Sequence, residues 1–168
     1  MGWALSGWEF NGIYKLTGGQ PFTALIGGDP QGSKLDETSE PPNRIAGSEC
    51  TSLTNPGNPN HYIKTQCLGF PNPANLRGNL GRNKMIGPGV SNLDFSVFKN
   101  NRIRRISENF NVQFRAEFFN ILNHANFASP TDNLDVFDQS GAPVASAGLI
   151  TSTQTPSRQI QFALKLIW

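Results

Sequence analysis

Residues Arg158–Trp168 read RQIQFALKLIW, and the fold follows from how this stretch is interpreted. Trp168, Leu166, Leu164, Phe162 and Ile160 are large and apolar. Ile167, Lys165, Ala163, Gln161 and Gln159 between them are mostly small or polar. Successive side chains on a strand point to opposite faces, so the alternation predicts a strand with one apolar and one wetter face. Its length suits a tilted strand crossing a bilayer, which takes about 9–11 residues. The same pattern also fits an edge strand of a soluble sandwich, with Trp168 capping the core.

The period of two recurs upstream. Trp8, Phe10, Gly12, Tyr14 and Leu16 share one face, and Glu9, Asn11, Ile13, Lys15 and Thr17 the other. Gly18-Gly19-Gln20-Pro21 interrupts and Phe22 to Ile26 resumes, so a kinked strand is expected over about residues 3–26. NLDFSVFK, Asn92 to Lys99, sets Leu93, Phe95 and Val97 against Asp94 and Ser96, which predicts a strand over 91–99. Phe110, Val112, Phe114, Ala116 and Phe118 alternate with Asn111, Gln113, Arg115, Glu117 and Phe119, predicting another over 110–120. Asn120-Ile121-Leu122-Asn123-His124 breaks the alternation and leaves room for a helical turn. The last strand is expected over 149–168. Residues 27–90 have no sustained period, are dense in Gly, Pro, Asn and Ser, and read as one long loop; a second loop runs to about Ala147.

Composition agrees with strands and turns. The 168 residues suggest one domain, and 17 Gly, 12 Pro and 15% charged residues lean away from helix. A net charge of +2 without a basic block gives no support to a nucleic-acid partner. A mean hydropathy of -0.37, with no apolar run near a helical span, excludes a transmembrane helix. It leaves a β-barrel open, because alternate barrel residues face the lumen. A structureless loop of roughly sixty residues argues against a compact soluble domain, whereas long extracellular loops are ordinary in outer-membrane barrels. The expected fold is all-β: about four antiparallel strands from the end of an outer-membrane barrel, joined long, short, long. No basic n-region or apolar segment follows Met1, so no secretory signal is visible and the chain is expected to be incomplete.

Several stretches, in order, resemble the carboxy-terminal barrel region of TonB-dependent outer-membrane receptors. Within them they resemble the Oar-like group, which carries a carboxypeptidase-regulatory-like domain. The carrying residues are LTGGQPFT from Leu16, GNLGRN from Gly78 with Gly87-Pro88-Gly89, and NLDFSVFKN from Asn92. They continue with FRAEFFN from Phe114, Asn123-His124, and RQIQFALKL from Arg158. The final strand, with Ile160, Phe162, Leu164, Leu166 and Trp168, resembles the assembly signal read by the barrel-assembly machinery. The resemblance implies a barrel of about twenty-two strands around a plug, a TonB-binding segment at the amino end, and substrate passage rather than chemistry. Expected partners are therefore outer-membrane lipid, the assembly machinery, the remaining strands and plug of the same receptor, and TonB through the amino-terminal region. A soluble or cell-surface β-sandwich adhesion module is the alternative.

Candidate sites are few. Cys50 and Cys67 share the long loop, and in an oxidising compartment two such cysteines are expected to form a disulfide. His61 lies between them, which raises a metal or a Cys50–His61 nucleophile. Two cysteines and one histidine fall short of a four-ligand zinc site, and no orienting third residue is apparent. The run Gly78 to Gly89, with Arg82 and Lys84, lacks the following Lys-Ser/Thr and helix of a phosphate loop, and reads as a tight turn into a strand. His124 reads as a local hydrogen-bonding residue. No catalytic, metal or cofactor site is expected, and no enzyme. Asp94, Arg115, Glu117 and Lys165 fall on polar strand faces, expected to face the lumen and to pair across strands.

Pairing can also be anticipated. Strands 91–99 and 110–120 should form an antiparallel hairpin, with the second also pairing to the last strand. Matching apolar faces requires opposed residues to sum to an odd number, about 209–215 for a turn near 104–108, with Asp94 opposite Arg115 at the low end. Four strands leave two open edges that hydrocarbon does not tolerate, so the chain is not expected to work alone.

Overall fold

The computed structural model describes residues 5–30, 40–72 and 77–168. Its strands are β1 Trp8–Thr17, β2 Pro21–Phe22, β3 Leu25–Ile26, β4 Asn43–Arg44, β5 Leu68–Gly69, β6 Met85–Ile86, β7 Val90–Arg102, β8 Asn111–Phe119, β9 Asp135–Phe137 and β10 Gln159–Ile167. Short 3-10 turns cover Ser48–Cys50, Pro59–His61 and Thr65–Cys67. The chain divides into two compact units. One contains β1, β7, β8 and β10; the other is built from the two long connections.

The first unit is a single antiparallel sheet in the order β1-β7-β8-β10. Trp8 lies opposite Lys99 and Tyr14 opposite Leu93. Phe95 lies opposite Phe118, and Phe162 opposite Ala116. The β7–β8 sum is odd and inside the anticipated window. One continuous face therefore carries Trp8, Phe10, Tyr14 and Leu16, then Leu93, Phe95 and Val97, then Val112, Phe114 and Phe118, then Ile160, Phe162, Leu164 and Leu166. Phe10, Leu16, Phe162 and Leu164 on that face are 64, 69, 66 and 67% exposed. A sandwich would bury this face against a second sheet, and no second sheet covers it among the described residues. The nine residues from Trp8 to Leu16 rise about 27 Å along a strand. A tilt near 40° brings that to about 20 Å, close to the roughly 25 Å apolar band of a barrel.

Strand ends depart from the sequence reading. The first strand, expected over 3–26, ends at Thr17; its expected start at Trp3 lies outside the described residues. It stops because the chain turns where no side chain fits: a Cβ on Gly19 would lie 1.7 Å from the Gly87 carbonyl oxygen. β7 runs three residues beyond Lys99, to Arg102. The last strand begins at Gln159 rather than 149, because Ile150 is needed in the other unit, where it is 8% exposed.

That second unit corrects the expectation of structureless loops. Phe22, Ala24, Leu53, Tyr62, Ile63, Leu68, Leu80, Met85, Val136, Ala147 and Ile150 form a shared core with Cys50 and Cys67. Three small ladders hold it: β2 with β6, β3 with β9, and β4 with β5. β3 and β9 run parallel, Leu25 opposite Asp135 and Ile26 opposite Phe137, so the second connection is laced into the first. Tyr62 and Ile150 also tie across, through Tyr62 N to Gly148 O at 3.1 Å and Ile150 N to Pro59 O at 2.8 Å. Each fully buried apolar side chain of this size contributes about 1.5–3 kcal/mol.

Candidate functional site

The face of the sheet opposite the apolar one carries the polar residues that sequence reasoning singled out. Glu9, Phe98, Arg115 and Ala163 form one cross-strand row, and Asn11, Ser96, Glu117 and Gln161 the next. Lys165 lies beside Gln113, which faces Asn100. Asp94, Arg115, Glu117 and Lys165 thus share one face. They do not pair with one another: no ion pair joins them among the described residues.

The register explains why. Asp94 could meet Arg115 only at the low end of the anticipated window, and here Arg115 lies opposite Phe98 instead. Its guanidinium stacks over that ring at 4.9 Å, and its Nε donates to Gln113 Oε1 at 2.7 Å. Gln113 Nε2 and Asn111 Nδ2 in turn donate to Asn100 Oδ1, at 2.9 and 3.0 Å. A run of side-chain amides, rather than charge pairs, therefore bridges β7 and β8. Asn92 and Asn111 on this face, and Asn101 on the other, each keep a buried Oδ1 without a hydrogen bond among the described residues. Such acceptors carry a desolvation penalty until a donor meets them.

Asp94 has a positional role. Its Oδ1 accepts from Asn92 Nδ2 and from the backbone N of Asn120, both at 2.8 Å. Asn120 leaves β8 with φ 50 and is 4% exposed. Its side chain accepts from His124 N at 3.0 Å and donates to the carbonyls of His124 and Pro156 at 3.0 and 3.1 Å. Asn126, 1% exposed, accepts from Ser91 N at 2.8 Å and donates to Thr155 Oγ1 at 2.9 Å. The expected helical turn at 120–124 is a hydrogen-bonded turn, Asn123 N to Asn120 O at 2.8 Å. These asparagines fix where β7 begins, β8 ends and β10 begins. Sequence reading missed Asn120 and Asn126, and the only signal was the asparagine density itself. His124 takes part through its backbone and through Nδ1, 3.1 Å from Asn126 Oδ1.

In the loop unit Cys50 and Cys67 are joined as a disulfide. Cys50 therefore offers no thiolate, and a Cys50–His61 nucleophile is not available. His61 closes a 3-10 turn capped by Asn58 Oδ1, which accepts from His61 N at 3.2 Å. No group of three or more His, Cys, Asp or Glu residues among those described could hold a metal ion. Arg44, not singled out from sequence, braces the bridge by donating from its Nη2 to the Cys50 carbonyl at 2.9 Å. Gly78 to Gly89 packs as turns: a Cβ on Gly78 would fall 2.0 Å from the Pro41 carbonyl oxygen.

The apolar face is suited to lipid, and the opposite face to hydrogen bonding with water or a polar solute. No curated protein and no solved structure matches the chain. A family model described as an outer membrane beta barrel domain matches residues 1–161. The exposed apolar face, the antiparallel order and this match agree, and they place the protein in the outer membrane of a Gram-negative bacterium: the chain belongs to the outer membrane beta barrel domain family.

Proposed function

We propose that this chain supplies carboxy-terminal strands and extracellular loops to the barrel of a TonB-dependent receptor of the Oar-like group. In this reading it acts by passage of a substrate along a polar barrel wall, and carries out no chemistry of its own. The observation that carries the reading is the sheet order: among the described residues β1 and β10 each have one partner, so two rows of backbone groups are open. In hydrocarbon each unpaired group costs several kcal/mol, and closed barrels need about eight strands or more. Further strands must therefore close the sheet, and the ordered motifs from Leu16 to Leu166 support a TonB-dependent receptor as the barrel they belong to. The unsatisfied amide oxygens of Asn92 and Asn111 fit a wall that meets a plug or a solute. TonB, the plug and the assembly machinery are the partners this reading requires.

The test has two arms. Expressed alone behind a signal peptide, the chain should give no heat-modifiable, protease-resistant species in outer membranes. Expressed as part of its full receptor it should, and that receptor should co-purify with the periplasmic domain of TonB. A stable barrel from the chain alone would overturn the incomplete-sheet reading. A folded full-length barrel that ignores TonB would overturn the receptor assignment.

A further inference from the structure

The short connection between β7 and β8 is not explained by either sheet face. It folds as two successive turns, Ile106 N to Ile103 O at 3.0 Å and Phe110 N to Ser107 O at 3.2 Å. Ile103 N to Phe110 O at 2.9 Å closes the pair. Arg104 and Arg105 form the centre of the first turn, separated by Ile103 from Arg102 at the end of β7. All three arginines are exposed, and none has a side-chain hydrogen bond or ion pair among the described residues. Glu108 is the single acid in this connection, so positive charge dominates. Beside the arginines, Ile103 and Ile106 are 38 and 65% exposed.

A turn surrounded by water gains nothing from exposing two isoleucines. A turn at the edge of a bilayer does, if hydrocarbon receives them. The neighbouring strand ends show where that edge lies. Trp8 faces Lys99 near the end of β7, and the Lys99 ammonium sits 5.3 Å over the Trp8 ring. Ile167 faces Asn111 at the start of β8, which brings Trp168 to the same rim. Aromatic residues of this kind mark the membrane–water interface of barrels. Short connections mark the periplasmic side. Beyond such a rim comes the phosphate layer of the lipid, and guanidinium groups match phosphate with paired, charge-assisted hydrogen bonds.

We propose that the Ile103–Phe110 connection binds the headgroup phosphate of an anionic phospholipid in the periplasmic leaflet. Arg104 and Arg105 contact the phosphate, while Ile103 and Ile106 enter the acyl boundary. The isoleucines and the tryptophan rim favour a lipid over a soluble ion, which would have no use for them. On β8, Phe114 and Val112, opposite Lys99 and Asn101, carry the apolar face toward this end of the sheet. This inference requires the outer-membrane location and does not depend on the TonB-dependent receptor reading.

The test is native mass spectrometry of the full protein, extracted from outer membranes in detergent. It would be titrated with phosphatidylglycerol or phosphatidylcholine of the same chain length. The wild type should bind phosphatidylglycerol more tightly. Arg104→Gln with Arg105→Gln should remove that preference, weakening phosphatidylglycerol binding by about fivefold per arginine at low salt and phosphatidylcholine binding, whose phosphate is offset by choline, much less. Arg104→Lys with Arg105→Lys should keep most of the preference, which separates lost charge from lost folding. Equal affinity for the two lipids in the wild type, or an undiminished preference in the Gln pair, would overturn the proposal. So would displacement of phosphatidylglycerol by inorganic phosphate at matched ionic strength. Capture of an acidic periplasmic polypeptide without lipid preference would show that the turn faces water, and would overturn it as well.

Discussion

Phe162 in β10 and Met85 in the loop unit are both large apolar side chains, yet the first is 66% exposed and the second 1%. The contrast extends to their surroundings. In the sheet unit the two most enclosed side chains are polar, Asn126 at 1% and Asn120 at 4%, while Phe10, Leu16 and Leu164 are open. In the loop unit Ile26, Met85 and Val136 are enclosed and held by three small ladders and a disulfide. The first arrangement suits hydrocarbon outside and hydrogen bonds inside; the second suits water outside and an apolar centre. One chain therefore obeys two burial rules, and each segment reveals which solvent it faces.

The strongest test of this contrast is the same truncation in both units. Met85→Ala should cost about 2–5 kcal/mol, because the enclosed site cannot collapse fully. Phe162→Ala should cost much less, since lipid fills the space. Thermal melts of the refolded full-length barrel, followed by loop-unit proteolysis and by heat-modifiability, would read the two units separately. Similar costs at both positions would break the comparison.

Charge placement reverses the ranking. Leu164→Arg on the apolar face should cost about 2–4 kcal/mol if that face meets lipid near the midplane, and Gln161→Arg on the opposite face far less. Equal costs in a denaturant titration in bilayers would show that the faces have been misassigned.

Opening the disulfide should act on one unit only. Cys50→Ser with Cys67→Ser should destabilise the loop unit by about 3 kcal/mol on a loop-entropy basis. Protease should then cut between residues 48 and 69 sooner, while the heat-modifiable gel shift of the barrel is unchanged. Loss of that shift would mean the two units fold as one.

The smallest effect is a pH dependence in the loop unit. The Asp138 carboxylate accepts from the Ser140 hydroxyl at 2.6 Å and from Ala142 N at 2.9 Å. These bonds hold it below the usual carboxylate range, the Ser140 hydroxyl most of all. A carboxyl lowered on folding contributes stability that is fully present above its unfolded value, near pH 4, and is lost as pH falls through the folded value. The Asp138–Ala142 turn should therefore loosen only in acid below about pH 4. Amide shifts of Ser140 and Ala142 would follow it, with Asp138→Asn as the flat reference. Asp138 is exposed, so the overall stability should barely move.

The alternation in Trp8–Leu16, Leu93–Val97, Phe110–Phe118 and Ile160–Trp168 was enough, by itself, to give the strands, their two faces and an odd β7–β8 register. A period of two is a local property, and one slip would turn every apolar side chain the wrong way. The sequence also singled out Cys50 and Cys67, which the fold brings together. It could not show which odd register holds, and that choice separated Arg115 from Asp94 and set it over Phe98. Nor did it show that the long connections have a core. Phe22, Ile63, Met85, Val136 and Ile150 have no common period, because irregular backbone places side chains by long-range contacts rather than by spacing. The roles of Asn120 and Asn126 were hidden for the same reason: an asparagine in a loop looks alike in every sequence, and only its distant partners make it a clamp.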